Sequence, residues 1–269
     1  MKPIKFFFGC IAMLAFSFHL QAQKAAPAPK TFFFVDYLKT TPGHATDYIK
    51  LETEVWKDIH KSRIKKGIIT GWYFLEVRFP SGTETEYDYV TVTAVKGWTG
   101  IDSFGAGWLD AYRALTAVQQ KRADSTNMFR NLVRTEVWTT EEAIFKKPAG
   151  SVPPKYWFVN TMDVHDGKWD AYVKMEKDLV KPVQQEQINT GHRAGWGVYS
   201  LVFPWGAEAK YEAVAIDYFE TWSDAVADDT GAIWKKVHPK KTAAEIDKTI
   251  EGTRTLAKGE VRVLLDYAQ

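Results

Sequence analysis

Residues 67–82 read GIITGWYFLEVRFPSG, and residues 191–206 read GHRAGWGVYSLVFPWG. Laid one on the other, the two stretches share Gly67/Gly191, Gly71/Gly195, Trp72/Trp196, Phe79/Phe203, Pro80/Pro204 and Gly82/Gly206, all 124 residues apart without a gap. The offset extends outward through Phe34/Phe158, Val35/Val159, Gly43/Gly167, Tyr48/Tyr172 and Glu52/Glu176 on one side. On the other it runs through Tyr87/Tyr211, Val90/Val214 and Trp98/Trp222. Coincidence does not place so many Gly, Pro and Trp pairs in register, and self-similarity at a fixed period marks one structural unit used twice.

The periodicity within each copy changes in a fixed order. Thr31–Leu38 and Tyr156–Met162 are compact apolar runs, as expected of strands covered on both faces. Helical spacing follows at Tyr48, Leu51, Val55 and Ile59, mirrored by Tyr172, Met175, Leu179 and Val183. Gly67 and Gly191 close those helices. Two extended segments come next, Ile68–Phe79 and Tyr87–Val95 in the first copy, joined through Pro80-Ser81-Gly82 as a hairpin. A second helix is expected over Phe104, Trp108, Ala111, Leu115 and Val118, and a last strand over Leu132–Trp138. In the second copy His238-Pro239 should break the helix, Thr242–Glu245 resembles a new capping box, and the last strand is expected at Glu260–Asp266. Matching Arg134 to Arg262 there implies an offset of 128, hence four extra residues in the second copy.

Each copy therefore reads β-α-β-β-α-β, the ferredoxin-like order. On the strength of that order, the Gly-x-x-x-Gly-Trp at 67–72 and 191–196, and the tandem arrangement, the chain resembles the dimeric α-β barrel superfamily. The resemblance implies an α+β fold in which two tandem ferredoxin-like units set their antiparallel sheets facing each other as an α-β barrel within one chain. The units would be residues 31–138 and 156–266, with the Pro- and Gly-bearing segment 139–155 as linker. It also implies a pseudo-dimer in a monomeric chain, and ligands held between a sheet and its helices. Superfamily members include cofactor-free monooxygenases, haem-dependent chlorite dismutases and dye-decolourising peroxidases, sugar mutarotases and lactone isomerases. The Gly-x-x-Asp-Gly haem-peroxidase signature is missing, since Val164-His165-Asp166-Gly167 lacks its first glycine. No cofactor is expected.

Residues 1–22 have a short basic start, an apolar run from Phe6 to Phe18 and small-residue cleavage chemistry, the pattern of an export signal ending in the periplasm or outside the cell. The run is shorter than the roughly 20 residues a membrane span requires. Without residues 1–22, which hold two lysines and no acid, the 35 basic residues become 33 against 33 acidic ones. That neutrality gives no footprint for nucleic acid. Cys10, the one cysteine, leaves with the signal, so thiol chemistry and disulfides are excluded from the remainder.

His44, His60, His165, His192 and His238 show no His-x-x-x-His spacing and no carboxylate cluster, so no metal site is expected. Candidate chemistry is sought where the two copies differ. His60, near a helix C-terminus that favours a protonated ring, is matched by Gln184. The period-two rule puts Trp72, Phe74, Glu76 and Arg78 on one strand face, where the second copy has Trp196, Val198, Ser200 and Val202. Asp36, matched by Asn160, could join them. His60, Glu76 and Arg78 are thus the catalytic candidates, and Asp36, Trp72, Trp196 and His192 the ligand-binding ones. The competing reading of each is structural: a solvated histidine, an ion pair, a core tryptophan. Glu52 and Glu176, kept in both copies one turn after Tyr48 and Tyr172, read as i,i+4 contacts on the helix surface. The expected function is binding of a small apolar or aromatic molecule in a sheet–helix cleft. The alternative is a cofactor-free enzyme, of monooxygenase or isomerase type, acting on a small organic substrate by acid–base chemistry.

Overall fold

Eight antiparallel strands form one closed barrel in the order β1-β3-β2-β8-β5-β7-β6-β4. They are β1 Thr31–Thr40, β2 Gly71–Phe79, β3 Tyr89–Lys96, β4 Arg130–Phe145, β5 Tyr156–Val164, β6 Gly195–Phe203, β7 Ala213–Phe219 and β8 Arg254–Ala268. The computed structural model describes residues 29–206, 209–226 and 230–269, and the expected export signal lies outside them.

Alternation along β1 shows how both strand faces come to be apolar. Phe33, Val35 and Tyr37 point into the barrel with Leu75, Val77, Trp157 and Tyr218. Phe32, Phe34 and Leu38 point outward beneath helices. A strand between a filled barrel and a helical layer has no solvent face, so its sequence is a continuous apolar run.

The register of the last strands corrects the expected insertion. Phe32 faces Thr139 and Thr40 faces Arg130, while Tyr156 faces Val263 and Val164 faces Arg254. All these partners differ by 124, and the slips fall at equivalent places, Tyr37/Leu38 and Thr161/Met162. Arg134 therefore matches Lys258, Glu136 matches Glu260 and Trp138 matches Arg262. A shift of four preserves strand parity, so alternation alone cannot separate an offset of 124 from one of 128.

The barrel closes along two seams. At one, β4 runs on beyond Trp138 and pairs with β6 from Val137/Phe203 to Phe145/Gly195. Residues 139–145, expected in the linker, are thus part of the barrel wall. Their Thr-Thr-Glu-Glu composition carries no apolar alternation, so only the distant partner strand makes them extended. Gly195 permits the close approach, because a Cβ there would lie 2.4 Å from Phe145 Cδ1. At the other seam β2 pairs with β8 from Trp72/Ala268 to Phe79/Val261.

A long helix over 45–65 and another over 169–189 cover the outside, burying Tyr48, Leu51, Val55 and Ile59 and Tyr172, Met175, Leu179 and Val183. Each contains a π-helical turn, Glu52–Trp56 and Glu176–Val180. Such turns alter the winding, and here Glu52 and Glu176 face the sheet. Both are buried, not on the helix surface as expected. Between β3 and β4 the expected single helix is four short ones, Gly97–Asp102, Trp108–Arg113, Ala117–Asp124 and Thr126–Phe129, interrupted at the left-handed Gly107. In the second half Thr230–Val237 stops before His238-Pro239, and Thr242 and Glu245 cap Ala243–Glu251 in a capping box. Among the described residues no helix is long and apolar enough to cross a membrane.

Burial pushes the Glu52 and Glu176 carboxyls up to about 7, against the opposing pull of Tyr48 and Arg130 in one half and of Arg254 and Tyr172 in the other. A carboxyl raised in the folded state binds protons that the unfolded chain has released. Stability therefore falls as pH rises from the ordinary value of 4.5 to about 7, and levels off above that. Glu52→Gln should leave the melting temperature near wild type at pH 5 and raise stability by on the order of 2 kcal/mol at pH 8. Equal differences at the two pH values, measured by thermal unfolding, would reject this account.

Candidate functional site

An open volume of about 600 Å³ lies inside the barrel, within the range of small-molecule sites. Its walls are Phe33, Val35, Tyr73, Val92, Trp157, Val159, Tyr199, Val214, Ile216 and Tyr218. Segment 147–154 and the strand-end residues Thr31, Lys96, Phe145, Glu220 and Gln269 line one end. Tyr37, Trp138 and Arg262 line the other, which is the floor.

Beneath the floor a buried polar network plugs the barrel. Glu136 accepts hydrogen bonds from Tyr37 (2.7 Å) and Trp138 Nε1 (3.0 Å) on Oε2, and from Arg134 Nε (2.9 Å) and Tyr211 (2.5 Å) on Oε1. Glu260 accepts from Arg262 Nε (3.0 Å) and Nη2 (2.7 Å), from the Tyr87 hydroxyl, and pairs with Lys258 at 2.6 Å. Burial alone would raise the Glu260 carboxyl. Arg262, Lys258 and Tyr87 together outweigh it and hold the group at about 2. A buried charge persists only with such partners.

The walls carry phenols as polar handles. Tyr199 and Tyr218 lie hydroxyl to hydroxyl at 2.9 Å, and Gln269 Nε2 donates to Tyr73 Oη at 3.2 Å. Burial raises the Tyr199 phenol to about 12 and the Tyr218 phenol well above its usual value, so both stay protonated and serve as hydrogen-bonding groups. Gly197 makes room for one of these rings, since a Cβ at that position would stand 2.7 Å from Tyr199 Oη.

The residues selected from sequence lie elsewhere, most of them outside the lumen on the helix side of the sheet. Trp72 is fully buried among Leu38, Tyr48, Phe74 and Tyr89, and His60 stacks on it with ring centroids 5.0 Å apart. Burial, with Arg63 close by, drives the His60 ring down to about 3. The ring is therefore neutral, because desolvation outweighs the helix C-terminus that was expected to favour its cation. Arg63 is itself held over the Trp108 ring at 4.2 Å and donates to the carbonyl oxygens of Phe104 and Ala106. Glu76 and Arg78 pair at 2.6 Å at the solvent end of β2, with Arg78 half exposed. Asp36 accepts a hydrogen bond from Thr135 Oγ1 at 2.5 Å, and burial raises its carboxyl. Trp196 is buried among Tyr172, Met175 and Val198. His192 lies on the turn before β6, half-buried and without a hydrogen bond among the described residues, while its neighbour Arg193 pairs with Asp217. His60 and Trp72 are in contact; Glu76 and Arg78 form a separate surface pair.

Sequence reasoning passed over Tyr73, Trp138, Trp157, Tyr199, Tyr218 and Arg262. The faint signal was Lys258, Glu260 and Arg262 at alternate positions of one strand, charges that share a face with the barrel-facing Leu264.

Haem, which some proteins of this fold carry, does not suit these residues. Among the described residues no His, Cys or Met lines the lumen, the Tyr199 and Tyr218 phenols that do are held protonated, and His60 is packed between Trp72 and Trp108. Among the described residues no cluster of three His, Cys, Asp or Glu side chains could hold a metal ion.

No family model and no curated protein matches the sequence. Solved structures do match the fold. A candidate monooxygenase from Fusobacterium nucleatum superposes with a TM-score of 0.54 at 8% identity, over 90% of this chain and 95% of its own. A candidate monooxygenase from Lactobacillus acidophilus gives 0.52 at 12% identity over 89% and 96%. A candidate chlorite dismutase gives 0.50 at 9% over 88% and 95%. The chain shares the fold of these structures, a mixed α+β chain around an eight-stranded antiparallel sheet, consistent with the dimeric α-β barrel fold.

Proposed function

We propose that this chain binds a small, largely apolar or aromatic molecule inside its barrel. The observation that carries the reading is the 600 Å³ lumen with aromatic walls, phenol handles and a sealed polar floor. On this reading the ligand lies in the barrel interior and not in the expected sheet–helix cleft, a placement supported by the packed side chains on the helix side, such as His60 on Trp72. We further infer two tandem ferredoxin-like units, supported by the constant offset of 124 in strand register, and a monomer that closes its own barrel. Export by the N-terminal segment remains part of this proposal.

The acid–base alternative has less behind it. His60 is neutral and stacked, Glu76 and Arg78 are at the surface, and the wall phenols are held protonated.

The neutral dye N-phenyl-1-naphthylamine should brighten on binding the wild type and lose that signal in Ala94→Tyr. Ala94 lines the lumen opposite Phe33 and Gly71, and its counterpart Tyr218 stands opposite Trp157 and Gly195, so the strand position accepts a tyrosine. A ligand held at a hundred times its Kd should add about 2.7 kcal/mol to stability, raising the melting temperature by roughly 5–10 °C. Equal brightening in the folded variant would place the dye outside the lumen.

A further inference from the structure

We propose that the lumen's ligand is an aromatic or alicyclic acid whose anionic group docks on Arg262 at the floor. This rests on the reading of the lumen as a binding site, and goes beyond it by naming the ligand's charge and orientation.

Among the described residues the charged side chains that line the cavity are Arg262, Lys96, Lys147 and Glu220, three cations against one carboxylate. Lys147 and Glu220 pair with each other at 2.6 Å at the rim, which leaves Lys96 and Arg262. Arg262 is only 5% exposed. Its Nε and Nη2 both donate to Glu260 Oε2, and Nη1 makes no hydrogen bond among the described residues. Nη1 is not among the buried polar atoms left without a partner, so this donor borders the open lumen, where a ligand oxygen can accept from it.

The surrounding charges favour an anion in that place. Glu260 already has Lys258 at 2.6 Å as well as Arg262, so two cations face one carboxylate. Glu136, the other acid of the plug, is capped by four donors and does not line the cavity. A carboxylate or sulfonate oxygen on Nη1 would gain a charge-assisted hydrogen bond in a site shielded from water. The ring system would then lie among Phe33, Tyr73, Trp157, Tyr199 and Tyr218, and Lys96 at the rim would draw anions inward.

The test compares 2-naphthoate with its neutral near-isostere 2-naphthamide, by calorimetry or quenching of the lumen tryptophans, on the wild type and on Arg262→Met. The wild type should prefer the acid by about tenfold or more, the ordinary worth of a hydrogen bond to a charged group. In Arg262→Met the preference should fall to within about threefold while naphthamide binding persists. Equal affinities in the wild type, or a preference that survives in Arg262→Met, would overturn the proposal and leave lumen binding standing. If neither compound binds the wild type, the lumen reading itself fails. Should Arg262→Met not fold, Arg262→Lys keeps the charge and should still prefer the acid, and equal binding of both compounds to it overturns the proposal.

Discussion

Glu260→Ala should lower stability by about 3–5 kcal/mol, the cost of removing one partner from a buried ion pair. For a chain of this size that is a fall in melting temperature on the order of 10 °C. The loss is large because Glu260 is the acceptor on which Arg262, Lys258 and Tyr87 converge. Without it, two cations and a phenol are left facing each other inside the barrel plug. Glu260→Gln should cost less, since its amide oxygen still accepts. The pH dependence has a definite sign. Because the carboxyl is held at about 2, its contribution is present above the ordinary value of 4.5 and is lost as pH falls through about 2. The gap between wild type and Glu260→Ala should therefore narrow as pH falls below 4.5 and close only near pH 2. A gap of the same size at pH 3 and pH 7 would mean that the variant's loss comes from packing.

The second large effect separates the barrel interior from the helix side. Trp72→Ala should cost about 3–5 kcal/mol, as expected for truncating a fully buried tryptophan, because it removes the ring on which His60 stacks and against which Tyr48 and Phe74 pack. The side chain points away from the lumen, so N-phenyl-1-naphthylamine and 2-naphthoate should bind the folded variant with unchanged Kd. Titration well below the variant's melting temperature checks this. A tenfold weakening there would return the ligand to the space between sheet and helices, where sequence reasoning had placed it.

The period-two rule grouped Trp72, Phe74, Glu76 and Arg78 correctly on one face of β2. It could not say whether that face or the one bearing Tyr73, Leu75 and Val77 looked into the barrel, because both begin with large aromatic side chains. His60 was singled out from a difference between the copies and a helix terminus, both visible in one dimension. Its neutrality comes from Trp72, Trp108 and Arg63, which meet it only after the chain folds.

Sequence by itself determined the order of the strands, the two covering helices, the hairpins and the capping box at Thr242, since these depend on local spacing and on Gly, Pro and Thr backbone preferences. The tertiary structure alone decided three things: that 139–145 is barrel wall, that the offset stays at 124 through β8, and that Arg262 stands at the floor of an aromatic lumen. Each depends on which strand lies beside which, and strand pairing across more than fifty residues is fixed by the shared packing of the whole barrel, not by the pattern along any one strand.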